Sequence, residues 1–349
     1  MKRFVLAALI LGSILACTKS NIQYGPTGEI SLQPVTEKTT KAAFTANAYG
    51  EGAPAFNVWA WWADVEPATS LEEFLGAGAS EFIRQGEFVH RGGGSWGGST
   101  PYYWPTEGSL VFAGYSPSVT SGGTFAYNKD SKSFSVQGYV QSEDIAHTVD
   151  LMWFDITDES YNGNKNMNSL GEEVRGVPVV FHHALSWLKF GFKLTEKAGI
   201  PQNWRITNVR LTGIYTKANF FSTSVPAWQE HSHSVEKEIQ VWSGTHLVST
   251  TAEVLESTAD GVVVIPQDCS AGAANLVVTY DLKKYLGDGS DQWLRAQTVT
   301  LPLNAGTDGG AWKPGKKYIY TIVFGDNEIR IVPVVEKWTD QPDIEIEVQ

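Results

Sequence analysis

The stretch Phe56-Asn57-Val58-Trp59-Ala60-Trp61-Trp62 reads as a β-strand. It is dominated by aromatic and apolar side chains and contains neither Gly nor Pro. A two-residue period puts Phe56, Val58, Ala60 and Trp62 on one face and Trp61 on the other. Runs of the same kind recur on both sides, each bounded by Gly, Pro, Asn, Asp or Ser. Upstream, Glu29–Val35 alternates cleanly and Ala42–Tyr49 does so less regularly. Downstream come Glu81–Arg91, which reads as a strand pair, and then Ser109–Tyr115, Thr124–Tyr127, Ser133–Val140 and Thr148–Asp155. Asn128-Lys129-Asp130-Ser131 turns one of these runs into the next as a hairpin. The best helix start is Ser70-Leu71-Glu72-Glu73-Phe74-Leu75, where Ser70 and Glu73 form a capping box and Gly76 and Gly78 stop the helix early. The Gly92–Gly98 run is followed by no Lys-Ser/Thr pair and opens no helix. It therefore reads as a flexible surface loop, not a phosphate loop.

Asp158–Glu173 is polar and rich in Gly and Asn, as an inter-domain loop would be. A second set of strands follows: Val177–Phe181, Ala184–Leu194, Trp204–Tyr215, Lys237–Trp242, Gly261–Pro266, Ala274–Leu282, Arg295–Leu303, Lys316–Phe324, Glu328–Val335 and Asp343–Val348. No long stretch carries a 3.6-residue period. Many short strands without helices predict an all-β chain of sandwiches or barrels. The expected division is a leader at 1–16, a tether at 17–28, and two consecutive sandwich domains at 29–173 and 174–349. A chain of this length exceeds what one core usually serves.

The first residues point to export. Lys2 and Arg3 precede an apolar run from Phe4 to Leu15, which suits a signal peptide and is too short for a spanning helix. The run ends Ile14-Leu15-Ala16-Cys17, the pattern of a bacterial lipobox, although a small residue is more usual at the place of Leu15. Cleavage before Cys17 and acylation of its sulfur would hold the chain on an outer membrane without a helix. The chain has two cysteines, Cys17 and Cys269. With Cys17 lipidated, no disulfide or Cys-based zinc site can form, and Cys269 reads as a buried structural thiol. The formal net charge is −12, and no Lys/Arg cluster offsets it, which disfavours nucleic acid as a partner. Thirteen Trp, thirteen Tyr, sixteen Phe and 34 Gly suit strands joined by tight turns.

Three segments carry a family resemblance. Phe181-His182-His183-Ala184-Leu185-Ser186-Trp187-Leu188-Lys189-Phe190 resembles the His-Ala-Leu strand that opens the C-terminal domain of the fimbrillin family. Val209–Thr216 is similar to the strand that follows it. Trp312-Lys313-Pro314-Gly315-Lys316-Lys317-Tyr318-Ile319-Tyr320 is similar to the family's Trp-x-x-Gly-Lys-x-Tyr-x-Tyr strand, and Trp338 falls where its closing Trp does. The resemblance implies two transthyretin-like sandwiches, display as a lipoprotein on the outer membrane of Bacteroidia-type bacteria, and a role in pili as shaft, tip or anchor. It also implies partners. A protease removes an N-terminal strand from shaft subunits, and another pilus subunit fills the gap by strand exchange. A surface receptor or glycan would be the target of adhesion.

Mapped onto this sequence, the removable strand is Glu29–Val35. The candidate donor is Asp343-Ile344-Glu345-Ile346-Glu347-Val348, which alternates an apolar face with an acidic one and reads equally well as a plain edge strand. No arginine lies between Arg3 and Arg84, so an arginine-specific protease has no site before the first strong strand. Lys38 and Lys41 are the basic residues of the linker. Either a lysine-accepting protease cuts there, or the strand stays and the subunit remains anchored.

Little else suggests chemistry. Adjacent His182 and His183 point to opposite faces of a strand. His231 and His233 share a face but lack a third fixed ligand, so no metal is expected. Hydrolase, zincin, EF-hand and Walker motifs are missing from the sequence, and Asp64 with Glu66, or Asp155 with Asp158 and Glu159, read as solvated carboxylates. An enzyme is not expected, nor a cofactor. The alternative function is that of a monomeric glycan-binding lipoprotein. Trp59, Trp61 and Trp62, or Trp96 and Trp104, could stack on sugar rings, with Trp61 the most exposed by alternation.

Overall fold

The computed structural model describes residues 28–36, 49, 52–120, 122–142, 144, 148–167, 173–195, 204–232, 238–255, 261–270, 273–284, 292–304, 306, 310–325 and 329–338. In chain order the first elements are β1 (Ser31–Thr36), β2 (Phe56–Ala63), α1 (Leu71–Gly76), β3 (Ser80–Gly92), β4 (Ser95–Gly98), β5 (Ser109–Ser116), β6 (Thr124–Asn128), β7 (Ser133–Val140), β8 (Met152–Phe154), β9 (Lys165–Met167) and β10 (Glu173–Arg175). Then come β11 (Val177–His183), β12 (Ser186–Leu194), β13 (Trp204–Thr212), β14 (Lys217–Phe221), β15 (Ala227–Ser232), β16 (Ile239–Leu247) and β17 (Glu253–Val254). The last are β18 (Val262–Val264), β19 (Asn275–Lys284), β20 (Gln292–Pro302), β21 (Lys316–Phe324) and β22 (Ile329–Lys337). The all-β reading holds.

The first half is built around a sheet that closes on itself in the order β1-β11-β8-β5-β2-β3-β4. Its interior is filled by Ile30 and Leu32 beside β2 residues Phe56 and Val58, with Trp96 from β4 and Phe181 from β11. A second sheet, β15-β14-β7-β6, lies over the outer face of β2 and β5. Phe134, Val136, Ala218 and Phe220 of that sheet share a core with Trp59, Trp61, Val111 and Tyr115. β2 and β5 are thus buried on both faces, and every residue of β5 is buried. The Asn128 turn forms as read, with the Asn128 side-chain oxygen accepting from the Asp130 and Ser131 amides at 3.0 and 3.1 Å. The short helix also forms. The Ser70 hydroxyl accepts from the Glu73 amide, and Leu71 and Phe74 anchor the helix in the second core.

Strand pairings cross residue 173/174, the division expected from sequence. β11 joins β1 and β8, and β14 joins β7. Beyond these strands, β17-β12-β21-β22 faces β16-β13-β19-β20 across a third core. Leu188, Phe190, Tyr318 and Tyr320 meet Ile206, Leu211, Leu276 and Val278 there. β12 and β21 run parallel from Trp187↔Lys317 to Leu194↔Phe324. Cys269 is fully buried, and burial pushes its thiol up to about 12.

Burial also raises the phenols of Tyr49, Tyr127, Tyr139, Tyr161 and Tyr320 well above their ordinary value. An unfolded tyrosine ionises near about pH 10, so above that pH the unfolded chain releases protons that the folded one keeps. The stabilisation is complete below about pH 10 and is lost as pH rises toward the folded values. The melting temperature should be level on the neutral side and fall steeply above about pH 10. Phenolate absorbance should appear together with unfolding, and early ionisation of these tyrosines in the folded chain would contradict their burial.

Candidate functional site

β1 closes the barrel. It runs parallel to β11, from Leu32↔Val177 to Thr36↔Phe181, and antiparallel to β4 through Ser31↔Gly97 and Leu32↔Trp96. Among the described residues β4 pairs otherwise with β3, and β11 with β8. Taking β1 away would leave a slot one strand wide with two unpaired walls. Its floor would be apolar, because Ile30 and Leu32 are both fully buried. Full burial of such a side chain contributes roughly 1.5–3 kcal/mol.

Polar contacts fix the register of β1. The Ile30 amide donates to the Tyr102 carbonyl at 2.7 Å, and the Trp104 amide donates to the Gly28 carbonyl at 2.8 Å. The Asn164 side chain acts as a bracket. Its oxygen accepts from the Ser31 amide at 3.0 Å and from Trp104 Nε1 at 2.9 Å, and its Nδ2 donates to the Glu29 carbonyl at 2.7 Å. The Ser31 and Ser95 hydroxyls share a hydrogen bond of 2.5 Å. Arg91 Nη2 lies 3.9 Å from Glu29 Oε1, an exposed pair worth little by itself. Gly176, just before β11, has φ +102°, and a Cβ there would meet the Leu32 carbonyl carbon at 3.1 Å. Glycine therefore allows both the turn and the close approach of β11 to β1.

The wall strand β4 lies inside the run expected to be a flexible loop, which is a correction. Gly92, Gly93 and Gly94 make a turn with positive φ, and Ser95–Gly98 then returns as a strand with Trp96 at 1% exposure. The polar segment around Asp158–Glu173 holds the β9–β10 pair as well as the Asn164 bracket. A lone Trp among glycines was the sequence signal for β4. Asn164 offered none.

Cys17, Lys38, Lys41 and the six residues Asp343, Ile344, Glu345, Ile346, Glu347 and Val348 lie outside the described residues. Trp61 is not the exposed residue that alternation suggests. It is 5% exposed and packs at 5.6 Å from the Tyr127 ring, because the β6–β7 layer covers the outer face of β2. With Trp59, Tyr127, Arg84 and Glu81 it lines the inner wall of a cleft of about 690 Å³. Trp61→Ala should therefore cost about 3–5 kcal/mol of stability. The melting temperature of that variant tests this, and an unchanged one would restore Trp61 to the surface.

His182 and His183 do face apart. His182 packs against Trp153, while His183 Nδ1 lies 2.6 Å from Asp150 Oδ2 and its ring stacks on Trp338 at 4.0 Å. His231 Nε2 meets the Pro266 carbonyl at 2.8 Å, and His233 lies outside the described residues. No group of three or more metal-ligating side chains forms among the described residues. Asp155, Asp158 and Glu159 gather with His182 at a second cleft of about 630 Å³. Burial raises the Asp155 carboxyl there, and the His182 charge opposes that shift.

The fold has relatives of known structure. A fimbrial protein from Bacteroides vulgatus matches with a TM-score of 0.62 at 18% identity, over 89% of this chain and 100% of that one. A candidate cell adhesion protein from Bacteroides uniformis matches with a TM-score of 0.53 at 17% identity, over 90% and 100%. At such identities the likeness is one of fold. No curated protein matches the chain in sequence. The sequence model described as fimbrillin-like matches residues 40–338, from the linker after β1 to Trp338, and the chain belongs to the fimbrillin-like family.

Proposed function

We propose that this protein is a cell-surface fimbrial subunit that binds its neighbour by strand replacement, with no catalytic role. One observation carries the reading: the barrel is closed by β1, whose two neighbours pair with it and not with each other. A strand leaving such a position frees backbone donors and acceptors on both sides together with an apolar floor. An incoming strand of the same period satisfies both at once.

The C-terminal segment has that period. Ile344, Ile346 and Val348 would take the inward places of Ile30, Leu32 and Pro34, and Glu345 and Glu347 the outward places of Ser31 and Gln33. Asp343 would then replace Glu29 near Arg91, keeping the sign of the charge. Lipid on Cys17 holds the chain at the outer membrane until the linker is cut at Lys38 or Lys41. A subunit that keeps β1 has a filled slot and serves as an anchor or tip, and one that loses β1 serves as shaft.

Folded full-length chain carrying a specific protease site between Lys38 and Lys41 tests the reading. It should stay monomeric until cut and then form polymers visible by size-exclusion chromatography and electron microscopy. Polymers before cutting, or monomers alone afterwards, would count against strand replacement.

A further inference from the structure

Tyr49 is 4% exposed and sits at the barrel interior beside the slot. Its ring stacks on Phe181 of β11, with centroids 4.9 Å apart and an interplanar angle of 19°. The same ring meets Trp96 of β4 edge-on at 5.0 Å and Phe56 of β2 at 5.7 Å. Its hydroxyl donates to the Pro54 carbonyl at 2.7 Å and shares a 2.5 Å hydrogen bond with Ser116. One side chain therefore touches both strands that β1 keeps apart.

Tyr49 lies on the other side of Lys38 and Lys41 from β1. A cut at either lysine frees β1 and leaves Tyr49 joined through Pro54 to β2. We infer that Tyr49 is a positioning residue that keeps the walls of the emptied slot at the spacing of a missing strand. The physical need is plain. Neighbouring strands lie about 4.8 Å apart, so β4 and β11 stand about two such spacings from each other. With β1 gone, each wall has unpaired N–H and C=O groups, and the walls could satisfy them by sliding together. An aromatic ring fixed at its hydroxyl end and packed against both walls opposes that collapse. The incoming strand then meets a preformed slot and does not have to reopen it.

The inference rests on the strand-replacement reading, and the test separates the two. Full-length chain with Ile346→Asp, which weakens its own tail as a donor, and a protease site between Lys38 and Lys41 is folded and cut at low concentration, and the freed β1 peptide is removed in mild urea. Binding of a labelled synthetic peptide of residues 28–36 is then followed by stopped flow. Tyr49→Ala should slow association by roughly ten-fold or more and change dissociation by less than about three-fold, because a bound strand itself holds the walls apart. Tyr49→Phe, which keeps the ring, should stay within about three-fold of the parent in both rates. If Tyr49→Ala does not fold, Tyr49→Leu is measured in its place with the same expectation. Equal association rates for parent and ring-less variant, or a loss confined to dissociation, would overturn the inference alone. A parent chain that takes up no peptide would overturn the strand-replacement reading and the inference with it.

Discussion

Chain carrying Ser31→Cys together with Ser95→Cys should not polymerise when oxidised, even after its linker is cut, and should polymerise once reduced. The two native hydroxyls are 2.5 Å apart, so these two side chains meet across the boundary of β1 and β4, where a disulfide would join the strands. The staple ties β1 to the wall strand β4. A strand tethered in this way competes for its own slot at an effective concentration of about millimolar or higher, so a neighbour's strand cannot displace it. The expected effect is a fall to the level of the uncut chain. Size-exclusion chromatography with and without reductant measures it, with either single substitution as control. Polymers of the oxidised, cut chain would mean that subunits join elsewhere.

Deletion of residues 343–349 should abolish polymers as completely while leaving a folded monomer. Full burial of Ile344, Ile346 and Val348 would contribute roughly 1.5–3 kcal/mol each, together with backbone hydrogen bonds of about 0.5–1.5 kcal/mol each. Part of this is offset by the ordering of the tail. Each 1.4 kcal/mol is about a factor of ten in affinity, so even Ile346→Asp alone should weaken association by about ten-fold or more. Far-UV circular dichroism and melting temperature check the fold, and light scattering checks the assembly. Normal polymers from the deleted chain would leave the tail a plain edge strand.

The sequence shows the strands themselves well, because a two-residue alternation records which side chains face an apolar layer. β1, β2, β7, β12 and β21 lie where that alternation puts them. It does not record how many layers there are. Trp61 alternates away from Phe56, Val58 and Ala60, yet it is buried because β6 and β7 come back over that face. Glycine hides strands as well. β4 has a single large side chain, Trp96, and the Gly97-Gly98 pair after it leaves no alternation to read. Pairing partners distant in sequence are hardest of all. Leu32 lies opposite Val177, and nothing local to either residue marks the other. The same holds for Asn164, whose grip on β1 joins positions 133 and 135 residues apart. Of the proposed slot, alternation locates the strand β1 and the family resemblance implies that it is removable, while its walls need the fold.

If subunits join through the place vacated by β1, the chains of a shaft have lost that strand. Mass spectrometry of the N-terminus of chains taken from assembled fimbriae on intact cells tests it most directly. Assembled shaft chains should begin just after Lys38 or Lys41 and lack residues 28–36. Assembled shaft chains that still begin at a lipidated Cys17 and retain β1 would contradict it.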